Sequence, residues 1–492
     1  MAKKKKTGEI YTPTPVIEKM CDTMFDLDPL FSYESLVRNH KHIMDNSCGT
    51  GNMLVCILNR VFQEHRFHRT PREDADLKWW LENCVHGIET NEESCKKCVS
   101  WLNQLVSWHF DEGRYKFGPI VWDIRNCDAL SCHDYDGKID YLIGNPPYVR
   151  VHDITLDSIK DYKFTQGGMT DLYLAFYELG FRMLNENGHM VYISPSSWFT
   201  SVAGRPLREY ILENKNLVSV YDYGHRQIFE NVTAYVAICH FIKDSFTRRI
   251  EFSTSGWHRS FDYDDVTING KFYFASPETI DLLKNITNWQ CPDCEKEFIV
   301  KNGFATLADN VFIYTPKDGR NIGRHLRGVI KSSTGEHKYI IYPYNAYGKL
   351  VPEDELSQQS PEVYGWLSEN REKLESRATT EHWYAFGRTQ AINDTYKWKL
   401  PVSSLISPQT KPKITIATEG TGVYGGLYIL PVDGQDGDIR KQMEIFQWVK
   451  EKLWSTDFLL YVKALRKYKS GGYYTFSSKD LENYLNYNMN NN

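Results

Sequence analysis

The sequence predicts an α/β protein: a Rossmann-like, doubly wound domain followed by a mixed α+β domain. From His42 to Ile242, short apolar runs alternate with stretches of helical periodicity, the pattern of a parallel sheet covered by helices. Successive runs end in glycines, carboxylates or an amide, at the strand ends where such sheets bind ligands. After Lys243 the rhythm changes to aromatic-rich segments with many turn residues, so a boundary falls between about Asp244 and Gly256. The two expected domains are residues 1–247 and 248–492.

Candidate strands end at Met44, Ile88, Trp122, Gly144, Ile193 and Tyr223. Helical periodicity covers 52–63, 91–110, 171–184 and 206–212. The runs 217–223 and 234–242 are close enough in sequence to pair as a hairpin. Near the C-terminus, 439–469 reads as helical, with Ile445, Val449, Leu453, Leu459, Val462 and Leu465 as buried positions.

A chain of 492 residues exceeds one compact core, and 41% apolar with 14% aromatic content marks a folded protein. No apolar run is long enough to span a bilayer, and the basic start, Lys3 to Lys6, lacks the apolar stretch of a secretory signal. The expectation is a soluble cytoplasmic protein whose eleven cysteines are reduced. A net charge of −5 argues against a generally basic nucleic-acid binder but leaves room for a local patch. Lys301 to Lys349 holds eight Lys or Arg against three Asp or Glu. Two C-x-x-C pairs, Cys95/Cys98 and Cys291/Cys294, raise the question of zinc. The first pair reads as packing within a helix, and the second has no companion pair, so no metal is expected.

Chemistry concentrates at Asp140 to Tyr148, where an apolar strand ends in Asn145-Pro146-Pro147-Tyr148. The Asn145 side chain offers a carbonyl, and a second acceptor is the Pro146 carbonyl, held out of helix or ladder because neither proline has an N–H. Beside the flat ring of Tyr148 these acceptors suit a planar amino group, such as the exocyclic amine of a nucleobase. An ordinary strand-to-turn exit is the plainer reading of this motif alone.

The preceding strand ends strengthen the case. Asp45 to Leu54 puts an acid, Ser47 and the glycines Gly49 and Gly51 immediately before a helix. Glycines allow a tight turn, and the helix start offers unpaired N–H groups. The Gly-Lys-Ser/Thr ending of a phosphate loop is missing, and Leu54 stands where a dinucleotide fingerprint wants a third glycine. An acid at this tip suits a cationic ligand. The next run ends in Glu89, placed to accept from ribose hydroxyls, and the third delivers Asp128-Ala129, an acid able to accept from an adenine amine. Each acid alone could be a helix cap. Together they describe a cleft for an adenosine bearing a charged amino-acid tail, which is S-adenosylmethionine, beside an amine-accepting mouth.

In the order of these motifs the chain resembles the TaqI-like, gamma-class N6-adenine DNA methyltransferases, type II modification methylases, over essentially its whole length. Gly8 to Pro13 comes first, the Asp45 to Gly51 loop second, Asn145 to Tyr148 later and a large domain last. The resemblance implies transfer of a methyl group from S-adenosylmethionine to the N6 amine of an adenine extruded from duplex DNA. It implies catalytic roles for Asn145, Pro146 and Tyr148, with Phe229 as a second aromatic clamping the base. The cofactor contacts implied are Tyr11, Thr12, Pro13, Asp45, Ser47, Gly49, Gly51, Glu89, Asp128, Ala129 and Pro147. Segments 171–176, 188–195, 301–307, 382–390 and 471–473 resemble further family landmarks.

The resemblance makes the second domain the target-recognition domain, where arginines can take guanine edges and lysines phosphates. Candidates are Arg320, Arg324, Arg327, Lys331 and Arg388, ranked below the basic stretch as a whole. Trp383, Tyr384 and Phe386 read equally as DNA contacts or core. The partner is double-stranded DNA, within a restriction-modification system beside a separately encoded endonuclease or as an orphan methylase, in a bacterial or archaeal cytoplasm. Competing readings are an RNA or protein methyltransferase using the same mouth, and a non-catalytic subunit. A fused nuclease is not expected, because cofactor motifs begin by Gly8 and no metal-nuclease acid cluster is evident. The recognised DNA word and the oligomeric state are not legible.

Overall fold

The computed structural model describes residues 11–27, 32–68, 70–110, 118–153, 157–167, 169–230, 234–289, 296–314, 325–377 and 382–491. The chain divides into two compact units, Met1–Ala275 and Ser276–Asn492. In the first, α1 (Thr14–Leu27) precedes β1 (Ile43–Asp45), α2 (Asn52–His68), α3 (Pro71–Asn83), β2 (Val85–Glu89), α4 (Glu92–Phe110) and β3 (Asp123–Asn126). Then come β4 (Ile139–Gly144), α5 (Tyr173–Met183), β5 (Leu184–Pro195), α6 (Arg205–Asn214) and β6 (Leu217–Asp222). The strands β7 (Val236–Ile242), β8 (Arg249–Ser253) and β9 (His258–Asp262) complete the sheet.

Its nine strands run in the order β3-β2-β1-β4-β5-β7-β6-β8-β9. The first five are mutually parallel, and the chain reverses direction sideways between β1 and β4, the switch point of a doubly wound sheet. The predicted hairpin is present, β6 pairing antiparallel with β7, which also runs antiparallel to β5. Both faces are covered, as a parallel sheet requires. Along β4 and β5, Leu142, Met190 and Tyr192 join the core formed with α5, whereas Tyr141, Ile143, Val191 and Ile193 join the core of α1, α2 and α4.

Helix starts follow local chemistry. Asn91 Oδ1 accepts from the backbone N–H of Glu93 and Ser94 at 2.9 and 3.2 Å, and Glu92 and Glu93 face the positive end of α4. Thr70 caps α3, accepting from Glu73 N at 3.2 Å with Pro71 in the first turn. α3 is not among the helices expected from periodicity, although Thr70-Pro-Arg-Glu73 is a helix-start signature.

Two boundaries differ from expectation. The third strand, expected to end at Trp122, spans Asp123–Asn126. It lies at the sheet edge and is polar: Asp123 accepts from His86, Tyr135 and Arg125 at 2.7, 2.7 and 2.8 Å, so an apolar run is the wrong signal for it. The first unit ends at Ala275 rather than at residue 247, because β8 adds to β6 and Ile250, Phe252, Phe261, Phe272 and Phe274 join the same core.

The second unit is mixed α+β. Phe298–Asn302, Leu427–Pro431 and Leu400–Val402 form one small sheet. Ile313–Tyr314, Glu336–Ile341, Leu326–Lys331 and Gly422–Tyr424 form another. The helical stretch read over 439–469 is two helices, Ile439–Trp454 and Thr456–Ala464, divided at Ser455, whose hydroxyl caps the second by accepting from Phe458 N at 3.1 Å. Among the described residues no helix is long and apolar enough to cross a membrane.

Candidate active site

The carboxyl ends of β2, β1 and β4 bring Glu89, Asp45 and Asn145 to one edge of the sheet, with Asp128 two residues beyond β3. Asp45 closes β1 and is 2% exposed. One carboxylate oxygen accepts from Ser47 N at 3.0 Å. Burial pushes its carboxyl up to about 7 and the nearby Glu89 charge adds to this, against the pull of the Ser47 N–H. A buried acid held near its proton is one that a cationic ligand would ionise.

Glu89 braces the glycine loop. Its Oε2 accepts from Gly49 N at 3.0 Å and its Oε1 from Asn91 N at 2.8 Å, while Cys48 N donates to Ile88 O at 2.9 Å. Gly51 has φ +88°, and a Cβ there would lie 2.6 Å from Cys98 Sγ, so this glycine lets the loop close against α4. Cys95 and Cys98 are both buried in α4, where the sequence reading put them as packing residues. Cys291 and Cys294 lie outside the described residues.

Asp128 Oδ1 accepts from Leu130 N at 3.0 Å and caps the short turn Ala129–Ser131. Its Oδ2 accepts from Ser158 Oγ at 3.0 Å, and Tyr162 OH donates to Leu130 O at 2.7 Å. Ser158 and Tyr162 belong to the excursion between β4 and α5. Its described central part is packed, with Ile159, Tyr162 and Phe164 buried. The Ser158 contact carried no sequence signal.

Immediately after β4, Asn145 Nδ2 donates to Thr12 Oγ1 at 3.0 Å, which places Oδ1 on the opposite edge of the amide, buried from solvent. Thr12 is 6% exposed, Pro13 half-buried and Tyr11 69% exposed, so of this segment Thr12 is the residue brought to the strand tips. Pro146 is buried and Pro147 half-buried. Tyr148 OH donates to Ile193 O at 3.1 Å, fixing the ring beside β5. Phe229, 2% exposed in the β6–β7 connection, meets the Tyr148 ring at 5.9 Å between centroids and 73° between planes. Asn46, missed in the sequence, accepts from Tyr192 OH at 2.9 Å and ties the tip of β1 to β5.

The recognition candidates are less gathered. Arg320 and Arg324 lie outside the described residues. Arg327 and Lys331 share the strand Leu326–Lys331, and Arg327 Nη2 donates to Tyr396 OH at 3.5 Å. Arg388 is exposed and its backbone bridges Ala305, joining the segments 301–307 and 382–390. Trp383, Tyr384 and Phe386 are core residues, at most 9% exposed.

The chain with this doubly wound sheet, acids at successive strand tips and Asn-Pro-Pro-Tyr after β4 is similar to methyltransferases of the restriction-modification class. Residues 54–229 match the family model described as Eco57I restriction-modification methylase. The type II restriction enzyme and methyltransferase RM.Eco57I of Escherichia coli is 23% identical over 395 residues, 64% of this chain and 39% of that one. The type II methyltransferase M.BstVI of Geobacillus stearothermophilus is 23% identical over 512 residues, 91% of this chain and 86% of that one. This chain thus spans well under half of the first relative and most of the second. Among solved structures, the type IIL restriction-modification enzyme MmeI, in complex with DNA, shares the fold with TM-score 0.67. It is 16% identical, with 96% of this chain and 67% of that one covered. The resemblance to type II modification methyltransferases read from the sequence stands.

Proposed function

We propose that this chain is a site-specific DNA methyltransferase that uses S-adenosylmethionine to methylate the N6 amine of an adenine turned out of the duplex. The observation that carries this reading is the convergence of Asp45, Glu89 and Asn145 at adjacent strand tips, with Thr12 against Asn145. The residues fit the cofactor. Asp45, buried and reluctant to ionise alone, would hold its cationic amino-acid end; Glu89 would face the ribose and the Asp128–Ala129 turn the adenine. When bound, the cofactor supplies a methyl group on a positively charged sulfur.

The chain's own residues prepare the acceptor. Adenine's amine is a poor nucleophile because its lone pair is delocalised into the ring. Accepting one N–H at Asn145 Oδ1 and the other at the Pro146 carbonyl favours a pyramidal nitrogen with a localised lone pair, an effect of preorganised dipoles. No strong general base is then needed at the mouth. Tyr148 offers a face for the extruded base. A base held between two parallel rings needs two stacking spacings of about 3.4 Å each. The 5.9 Å, 73° contact of Tyr148 with Phe229 is too short and too steep for that, so Phe229 turns aside when the base enters. The second unit would supply the contacts that choose the DNA word, with Arg388, Arg327 and Lys331 the described candidates.

Labelled S-adenosylmethionine offered with unmethylated duplex DNA, transfer RNA and protein extract tests the reading. Label is expected in DNA, as N6-methyladenine on digestion; label confined to RNA or protein would refute it.

A further inference from the structure

A side-chain amide is nearly symmetric in shape, yet its two edges do opposite things: the oxygen accepts and the NH₂ group donates. If Asn145 receives a target amine, which is itself a donor, the amide must turn its oxygen to the mouth. Its NH₂ group then faces the interior, where a buried donor without an acceptor is costly. In the structure that group donates to Thr12 Oγ1 at 3.0 Å, across 133 positions of sequence, from a threonine that is almost wholly buried.

We infer that Thr12 is a positioning residue whose hydroxyl oxygen satisfies the Asn145 NH₂ group and so keeps Oδ1 turned toward the target amine. The inference rests on the reading of Asn145 as amine acceptor. It gives Thr12 a part distinct from the cofactor contact implied by resemblance. A threonine hydroxyl can also donate, so the ligand-free protein tolerates the amide turned over. Once an amine occupies the mouth, the turned amide sets N–H against N–H, and only the orientation seen here satisfies both edges at once. A side chain of the same shape without the oxygen removes that solution, because the productive orientation then leaves the buried NH₂ group without this acceptor. The same bond joins the segment before α1 to the tip of β4, so the mouth is complete only when the N-terminal segment is docked.

Thr12→Val, with Thr12→Ser as the variant that restores the oxygen, tests this in the full-length chain. The measurements are single-turnover methyl transfer to amplified, unmodified duplex DNA, equilibrium binding of S-adenosylmethionine, and thermal unfolding. Loss of one buried hydrogen bond predicts a transfer rate about tenfold lower or more for Thr12→Val. Cofactor affinity stays at the wild-type value, the melting temperature falls by no more than a few degrees, as loss of one buried hydrogen bond implies, and Thr12→Ser recovers most of the rate. If Thr12→Val does not fold, Thr12→Ala carries the same prediction. A wild-type rate in a folded variant lacking the oxygen overturns the inference, as does a rate loss that saturating cofactor restores, which would make Thr12 a cofactor contact. Failure of the wild type itself to methylate adenine is a different result, and it overturns the reading of Asn145 on which the inference rests.

Discussion

If Asp45 holds the cofactor's cationic end as proposed, its chemistry differs most between the ligand-free protein and the bound one. With its folded value raised to about 7, Asp45 keeps its proton below that pH in the folded protein, whereas the unfolded chain gives it up near 4. The stability it contributes is full below the unfolded value and is lost as pH rises through about 7, on the order of 4 kcal/mol at most. A bound cation reverses the preference, because it favours the carboxylate. Affinity for S-adenosylmethionine should therefore climb as pH rises from 5.5 to about 7 and level off above it, with proton release on binding at the acid end. Titration calorimetry in buffers of different ionisation enthalpy reads both; flat affinity with no proton release would contradict the assignment. Asp45→Asn should melt higher than the wild type at pH 8 without ligand, while binding the cofactor more weakly. At this scale the sequence is informative about which residues carry charge and poor about what holds them. Asp45, Glu89 and Asn145 are legible because each closes an apolar run. The bonds Thr12–Asn145 and Tyr192–Asn46 are not, since each joins residues more than a hundred positions apart.

The loop between β1 and α2 is the element proposed to cradle the cofactor, and its two glycines differ in what they permit. Gly51 combines φ +88° with the approach of Cys98, so Gly51→Ala meets both backbone strain and a clash. Gly49, at φ +53° with nothing within 4 Å of where an added methyl would sit, meets strain alone. Chemical denaturation should show Gly49→Ala costing about 1 kcal/mol and Gly51→Ala clearly more, on the order of 2–4. Equal costs would mean that α4 yields to the added methyl. The neighbouring elements show where pattern reading works and where it stops. Buried parallel strands such as β4 announce themselves as apolar runs. The edge strand β3 is polar and held by the Asp123 network, so an apolar pattern places it a few residues early. The break at Ser455 is hidden because apolar periodicity continues across it, whereas the capping serine signals a new helix.

Over the whole molecule, the α/β order and the change to a mixed second unit are both legible, but the boundary is not. Segments 249–253 and 258–262 look like the start of a new aromatic-rich domain, yet their inward side chains complete the first core. The change in sequence therefore marks the end of the alternating pattern rather than the end of the unit. Division of labour between the units is the remaining claim. Arg388, exposed where 301–307 meets 382–390, is proposed as a base reader, so Arg388→Ala should relax the methylated word at one position and leave cofactor binding intact. Uniform loss across all sites would make Arg388 a phosphate contact instead. The central claim, an amide that receives an adenine amine, is tested most directly by modified-base sequencing of genomic DNA from cells expressing the wild type or Asn145→Ala. The account predicts N6-methyladenine within one defined motif for the wild type and none for the variant; unmodified adenine in the wild type, or equal modification by the variant, would contradict it.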